Sequence, residues 1–236
     1  MHPIQRYKII ISIVIGFMLI LLHINVAQAQ MNMQYHDNKK LFFGVTFAYN
    51  RSDFKIIHSN EFLYSDSILV VESEKGPGFN LGIVSNFKLI KRLDLRVTPS
   101  LSFAERNLLF TTIEDTTINK TIESINLEIP VDLRLKSDRY GNFRVYALLG
   151  AKFEYDLNSN AKNRKLKDQI KLDKYDLAIS YGGGFSFYFP MFILSPEVKI
   201  YQGIFNVHSQ NPDLIYARMI DKLLMRTILF TIHIEG

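Results

Sequence analysis

The segment Phe143–Asp156, with the sequence FRVYALLGAKFEYD, alternates between apolar and polar residues along its length. A β-strand points successive side chains to opposite faces, so this segment would carry one apolar face and one charged face. It is longer than the usual soluble strand of about five or six residues. Its length and alternation are typical of a strand that crosses a bilayer at a tilt, with lipid on one side and a polar interior on the other.

Comparable alternation recurs along the chain and predicts eight strands. These are Leu41–Asn50, Phe79–Leu89, Leu93–Ala104, Ile122–Lys136, Phe143–Asp156, Tyr175–Phe189, Ile193–Gly203 and Leu224–Glu235. The links between them alternate in length: Arg51–Gly78, Glu105–Thr121, Leu157–Lys174 and Ile204–Leu223 are long, whereas Ile90–Arg92, Ser137–Asn142 and Pro190–Phe192 are short. This asymmetry is typical of outer-membrane barrels. It predicts an all-β fold, an eight-stranded antiparallel up-and-down transmembrane β-barrel with long extracellular loops and short periplasmic turns.

Aromatic residues near the predicted strand ends agree with a membrane location. They are Phe42, Tyr49, Phe87, Phe103, Phe143, Tyr155, Phe189, Phe192 and Tyr201. Aromatic rings favour the two membrane interfaces, so the pattern predicts a girdle of Phe and Tyr. Ordinary core packing is the alternative for any one of them.

The N-terminus has the features of an export signal. Arg6 and Lys8 precede the apolar run Ile9–Leu22, and Ala27-Gln28-Ala29 supplies a small-x-small cleavage pattern. We expect residues 1–29 to be a cleavable signal peptide, with cleavage between Ala29 and Gln30. The alternative is a membrane helix, but the run is short for a span of about twenty residues. Residues 30–40 would then form a polar leader, and residues 41–236 the barrel.

Composition narrows the function classes. The 236-residue chain has no cysteine, which excludes disulfides, thiol chemistry and a cysteine-linked lipid anchor. Removing Arg6 and Lys8 lowers the formal net charge of +5 by two. The remaining positive charge is too small to indicate nucleic-acid binding. After the signal, no apolar run is long enough for a spanning helix, so a membrane location requires a closed barrel.

The inward faces of the predicted strands are rich in charges of both signs. The candidate interior network comprises Asp94, Arg96, Glu128, Asp132, Arg134, Arg144, Lys152, Glu154, Glu197 and Lys199. These residues would either line a selective channel or proton-active site, or form a packed salt-bridge network. An eight-stranded barrel is only wide enough for side chains to fill it, which favours the packed network.

No pattern indicates catalysis, a metal or a cofactor. The histidines lack the spacing of a metal site. The glycines, including Gly182-Gly183-Gly184, lack the strand-to-helix context of a phosphate loop. His208-Ser209 invites comparison with lipid-modifying barrel enzymes, yet sequence neighbours rarely form a nucleophile–base pair. We therefore expect no enzymatic activity and no small-molecule substrate.

Two predicted loops carry distinctive patterns. The segment 158–174 is rich in lysine and arginine, so it would contact anionic groups or remain a solvated surface. Asn211-Pro212-Asp213 has the form of a helix start. The spacing of Tyr216, Met219, Ile220 and Leu223 then predicts one face of a short helix. That face would either cover the barrel mouth or dock a partner.

Several strings resemble one known family. They are Gly76–Leu89 (GPGFNLGIVSNFKL), Asp94–Phe110 (DLRVTPSLSFAERNLLF), Glu123–Lys136 (ESINLEIPVDLRLK), Ser195–Lys199 (SPEVK), Tyr155-Asp156-Leu157 and Phe187–Pro190 (FYFP). Together they resemble the PorT family, small outer-membrane barrels of the Bacteroidota that are called SprT in gliding members. The resemblance spans residues 38–234, and its most specific parts are PGFNLGIVSN and LSFAERNL. The C-terminal residues differ from those of most outer-membrane barrels, because the sequence ends in His233-Ile234-Glu235-Gly236 instead of an aromatic residue.

The resemblance implies a non-enzymatic role in type IX secretion, in the export of cargo with a C-terminal sorting domain. It implies an integral outer-membrane location and partners among outer-membrane lipid and other type IX components. Because a filled barrel cannot pass a polypeptide through its own lumen, we expect an accessory or assembly component beside a wider pore. The resemblance to gliding members also implies a link to gliding motility. The alternatives are a surface-recognition or adhesin-like barrel and a narrow porin.

Overall fold

The computed structural model describes residues 31–59, 62, 68–113, 117–157, 171–209 and 219–236. A short 3-10 helix, Gln34–Asn38, comes first. The strands are β1 (Leu41–His58), β2 (Ile68–Glu74), β3 (Gly76–Ile90), β4 (Leu93–Val97), β5 (Ser100–Thr112), β6 (Thr117–Lys136), β7 (Phe143–Asp156), β8 (Lys171–Leu172), β9 (Tyr175–Tyr188), β10 (Ile193–Gly203), β11 (His208–Ser209) and β12 (Ile220–Glu235). The predicted signal peptide and its cleavage site at Ala29 and Gln30 lie outside the described residues and stay a prediction.

The strands close into an antiparallel ring. Around the ring the order is β1, β12, β10, β9, β7, β6, β4 with β5, and β3, and β3 pairs again with β1. Counting β4 and β5 as one strand gives a ring of eight, which confirms the predicted fold class. β2 precedes β3 directly and pairs with β5 beyond the ring.

The predicted strand Leu93–Ala104 is interrupted at Thr98 and Pro99. Proline lacks a backbone N–H and therefore cannot donate to the ladder. The carbonyl of Pro99 still accepts a hydrogen bond from the Ile83 N–H at 3.0 Å, and the Thr98 N–H donates to the Pro130 carbonyl at 3.1 Å. The interruption is therefore local, and β4 and β5 continue one strand of the ring.

The outward side of the ring is apolar. Exposed outward side chains include Phe43, Val45, Phe47, Phe79, Leu81, Ile83, Leu127, Val131, Leu133, Phe230 and Ile232. Exposed apolar surface on this scale indicates contact with lipid. Tyr49 and Phe87 of the predicted girdle are exposed, but Phe42 and Tyr201 are buried because they occupy inward positions. Among the described residues, no helix is long and apolar enough to cross a membrane.

Several strands continue past their predicted ends at the side of the long loops. β1 extends to His58, β5 extends to Thr112, β6 begins at Thr117 and β12 begins at Ile220. The opposite, periplasmic end carries the short turns and the 3-10 helix. The barrel therefore has a folded extracellular extension at one end and a short N-terminal segment at the other.

The charged interior and the periplasmic mouth as the candidate functional site

The alternation of the ring strands directs the predicted interior charges into the barrel. Each of them is at most 9% exposed: Asp94, Arg96, Glu128, Asp132, Arg134, Arg144, Lys152, Glu154, Glu197 and Lys199. Charges removed from water require partners, because the cost of desolvating an unpaired ion is several kcal/mol. The arrangement of these partners determines whether the interior is a packed network or an open channel.

Arg96 of β4 is the centre of the interior network. Its Nη1 is 2.6 Å from Glu197 of β10, and its Nη2 is 2.7 Å from Glu235 of β12. Its Nε donates to the Asn86 side-chain oxygen at 2.8 Å, and the Tyr146 hydroxyl donates to Glu197 at 3.1 Å. Arg96 has no exposed surface, so this residue connects strands across the barrel interior.

A second set of pairs lies nearer the periplasmic end. Arg134 donates to Asp94 at 2.9 Å, and Lys136 is 2.7 Å from the other oxygen of Asp94. Arg134 also lies 3.7 Å from Glu235. Asp94 and Glu235 are therefore shared by several cations, which makes the network continuous with Arg96.

Lys199 of β10 joins the network from the opposite wall. Its Nζ donates to Asp132 at 2.7 Å and lies 3.0 Å from Glu197. Ser180 also donates to Asp132. His233 of β12 lies 3.5 Å from Glu197. Glu197 is thus held from several strands.

A further group lies towards the extracellular side. Lys152 donates to Glu128 at 2.9 Å and also to Glu154. Arg106 lies 3.6 Å from Glu154, and the Asn80 amide donates to Glu128 at 2.8 Å. Pairing of this density occupies the interior with side chains, as expected for a barrel of eight strands.

Above the charged region, apolar side chains fill the extracellular extension. We call these residues the outer apolar cluster: Phe54, Val71, Leu108, Phe110, Leu172, Val207, Met219, Ile220, Leu223 and Met225. β8 and β11 pair through His208 and Leu172 beside this cluster. The interior therefore changes from charged to apolar along the barrel axis.

The predicted helix through Met219, Ile220 and Leu223 is wrong in the described part of the chain. Ile220 and Leu223 lie in β12, and Met219 directly precedes it. All three side chains are buried in the outer apolar cluster, so they do not offer a docking surface in this structure. Tyr216 lies outside the described residues. Most of the basic loop 158–174 does as well, and its end forms β8.

The periplasmic mouth is covered by residues 31–40. Asp37 accepts a hydrogen bond from Arg144 at 3.0 Å and lies 3.8 Å from Arg139. The Asn32 side chain donates to the Tyr188 carbonyl at 3.0 Å. Met33 adopts a left-handed backbone conformation with φ of 51°, which is uncommon for a residue other than glycine. The contacts on either side hold this segment in place.

Ionisable groups at this mouth are perturbed by their surroundings. Burial, together with Lys39, lowers the pKa of His36 to about 4. Burial likewise lowers the pKa of Arg139. Asp138 is exposed, and its hydrogen bond from Arg92 lowers the pKa of its carboxyl group. His36 is therefore neutral in the docked segment at neutral pH.

Sequence reasoning missed several residues of this interior. Glu235 follows the outward Ile234, so strict alternation places it inward and would have found it. The predicted strand ends at Ala104 and leaves Arg106 in a link, whereas β5 continues to Thr112. The contacts of Asp37 have no periodic signal in the sequence. The described residues contain no group of three or more His, Cys, Asp or Glu that is able to hold a metal ion.

The closed ring, its apolar exterior and its charged interior define an integral outer-membrane β-barrel. The chain belongs to the family described as the outer membrane protein beta-barrel domain, which residues 27–209 match. The protein is therefore a component of the outer membrane.

Solved structures of outer-membrane proteins resemble this one at low sequence identity. The outer membrane protein OprG from Pseudomonas aeruginosa is 11% identical, with a TM-score of 0.48 over 83% of this chain and 93% of that chain. Neisserial surface protein A is 10% identical, with a TM-score of 0.42 over 84% of this chain and 96% of that one. The attachment invasion locus protein Ail of Yersinia pestis, in complex with the heparin analogue sucrose octasulfate, is 14% identical, with a TM-score of 0.37 over 84% and 100%. No curated protein sequence gives a significant match to the chain.

Proposed function

We propose that this barrel is a non-enzymatic accessory or assembly component of type IX protein secretion. The observation that carries the proposal is the filled interior, in which Arg96, Lys199 and Lys152 are each paired with two carboxylates. A polypeptide has no path through a lumen that side chains occupy. The secretion context comes from the resemblance of the Gly76–Leu89 and Asp94–Phe110 strings to the PorT family.

In this role the barrel acts beside a wider pore. Its lipid-facing exterior anchors it in the membrane, and other secretion components would contact its extracellular or its periplasmic end. The proposal needs no cofactor, nucleic acid or small-molecule substrate. It includes removal of residues 1–29 during export, which N-terminal sequencing of the membrane-embedded protein would test.

Deletion of the gene tests the secretion role. The expected result is loss of cargo with C-terminal sorting domains from the culture supernatant, restored by the wild-type gene. Normal cargo secretion in the deletion strain would refute the role. A strain complemented with a variant that assembles normally but carries substitutions only at the periplasmic mouth would then report whether that end takes part.

A second candidate is a surface-recognition or adhesin-like barrel. The observation that favours it is the extracellular extension, in which β1, β6 and β12 surround the outer apolar cluster. A packed core of this kind supports the strand ends from which the long loops leave, as a recognition surface built on loops requires. An extracellular ligand that resists washing from intact cells, in a strain with normal cargo secretion, would favour this candidate.

The narrow porin is the remaining alternative. A measurement of ion conductance distinguishes it from the secretion component and from the recognition barrel. A filled interior predicts no steady ion current from purified protein in a planar bilayer. A current that changes when Arg134 or Glu197 is substituted would establish the pore instead.

A further inference from the structure

Positive charge exceeds negative charge at the periplasmic mouth. Arg139 lies in the turn between β6 and β7, and Arg144 is near the start of β7. Both guanidinium groups face the same carboxylate, that of Asp37. Lys88 donates to the Asp37 carbonyl at 2.5 Å, and Lys39 is close by in the lining of the mouth.

Several buried side-chain nitrogens at the mouth make no hydrogen bond within the described part of the chain. They are Arg139 Nη1, Arg144 Nε and His36 Nε2. The Arg139 side chain is 3% exposed and the Arg144 side chain 10%. The two arginine nitrogens are N–H donors, and buried donors without acceptors are costly, so the site is incompletely satisfied by its own residues.

A small cavity lies between residues 31–40 and the barrel interior. Its lining includes Arg134, Lys136, Arg144, Tyr188 and Glu235. Its volume of about 10 Å³ leaves room for about one water molecule. This cavity is too small for a carboxylate group, whereas the Asp37 side chain, which faces Arg139 and Arg144, is 34% exposed.

The mouth also contacts the peptide backbone of the segment that covers it. The Asn32 N–H donates to the Asn142 side-chain oxygen at 2.9 Å, and Arg139 donates to the Asn32 carbonyl. Together with the Lys88 contact, these bonds recognise main-chain atoms as well as a carboxylate. Such a combination fits a peptide better than a free anion or a lipid headgroup.

We propose that the periplasmic mouth is a binding site for an acidic segment of a periplasmic partner protein, and that Asp37 occupies it as an internal ligand when no partner is bound. The partner's carboxylate would replace that of Asp37 between Arg139 and Arg144, and its backbone would take the bonds that Asn32 makes. This proposal concerns the chemistry of the mouth and does not depend on the secretion role.

The test uses the mature chain in detergent and a synthetic peptide with the sequence of residues 31–38. An Asp37→Asn barrel lacks the internal carboxylate, so it should bind the peptide about tenfold more tightly than the wild-type barrel does, the scale of one charge-assisted hydrogen bond. The same peptide with asparagine at the aspartate position should lose this gain. An Asp37→Asn/Arg139→Gln/Arg144→Gln barrel should lose it as well. Arg92, whose exposed pair with Asp138 lies at the same end, supplies the matched control, and Asp37→Asn/Arg92→Gln should keep the gain.

A label provides a second readout in the chain with Asp37 intact. Because the chain has no cysteine, Tyr35→Cys gives a unique attachment site on an exposed residue of the segment. Excess acidic peptide should make the label more mobile by displacing residues 31–38. Equal binding of the aspartate and asparagine peptides would overturn the proposal. So would equal displacement by inorganic phosphate or by phosphatidylglycerol vesicles, which would assign the site to a free anion or a lipid.

Discussion

Arg96 lies between two carboxylates from strands far apart in the sequence, with Glu197 at 2.6 Å and Glu235 at 2.7 Å. This one guanidinium connects β4 with β10 and β12 through the barrel interior. Glu235 is the last residue of β12, so the contact also fixes the end of this strand. The ion pairs of the interior therefore help to stabilise the closed ring.

Replacing Arg96 with methionine should destabilise the barrel by about 3–5 kcal/mol, because two buried carboxylates lose their shared cation. Urea unfolding in lipid vesicles, followed by circular dichroism, measures the loss. Circular dichroism is preferable because the chain has no tryptophan.

Arg92→Met supplies the control for Arg96→Met. Arg92 pairs with Asp138 at the exposed periplasmic rim, where an ion pair contributes about 0–1 kcal/mol. Equal destabilisation by the two substitutions would contradict a structural role of the interior network.

The membrane-spanning part of the fold is predictable from the sequence because the two faces of each strand lie in different environments. The predicted bounds of Phe143–Asp156 and Ile193–Gly203 coincide with β7 and β10. Lipid outside and paired charges inside select opposite side chains at alternate positions, so the period of two is unbroken there.

The extracellular extension was less predictable because its alternation is irregular. The register between β1 and β12 shifts where His58 pairs with Ile220 and Ile57 with Lys222, which leaves Asp221 as an extra residue. This bulge places Ile220 and Leu223 on the same inward side although they are three residues apart. The same spacing is typical of a helix, which explains the wrong prediction.

The contacts of the periplasmic mouth could not be predicted from the sequence at all. Residues 31–38 show no periodicity, and their bonds join side chains to main-chain atoms of distant turns, as Asn32 does with Tyr188. Such bonds depend on the assembled ring.

Adding a methyl group at Gly184 should destabilise the barrel by about 1–3 kcal/mol, the usual cost of overpacking. A Cβ there would lie 2.5 Å from the Pro196 carbonyl oxygen and 2.7 Å from the Tyr146 hydroxyl, which bonds to Glu197. The measurement is the urea midpoint of Gly184→Ala. Gly183→Ala is the neighbouring control, because its closest contact would be 3.0 Å. If Gly183→Ala lowers the urea midpoint as much as Gly184→Ala does, the predicted overpacking at Gly184 is contradicted.

Truncating Leu223 to alanine should loosen the extracellular extension and leave the membrane ring intact. Leu223 has no exposed surface within the outer apolar cluster, so a cavity there costs about 2–5 kcal/mol. Limited proteolysis of intact cells should cut the variant faster, while its heat-modifiable migration on gels stays unchanged. Ile113→Ala, at a position 63% exposed, should show neither effect. Unfolding of the whole barrel by Leu223→Ala would show that the extension and the ring are one cooperative unit.

Lowering the pH should release residues 31–38 from the periplasmic mouth. His36 has a pKa of about 4 when docked, against an ordinary value of 6.5. Burial is the main cause; Lys39 and Arg134 lower the value further, while Glu235 and Asp37 oppose them. The undocked segment therefore binds more protons between these pH values, and docking is fully favoured above pH 6.5. As the pH falls from about 6.5 to about 4, the ratio of docked to undocked segment should decrease by up to about tenfold per unit. The mobility of a label on Tyr35→Cys measures this ratio, and His36→Gln, which stays neutral, should remove the pH dependence. A label whose mobility is constant over this range in the chain with His36 would refute the prediction.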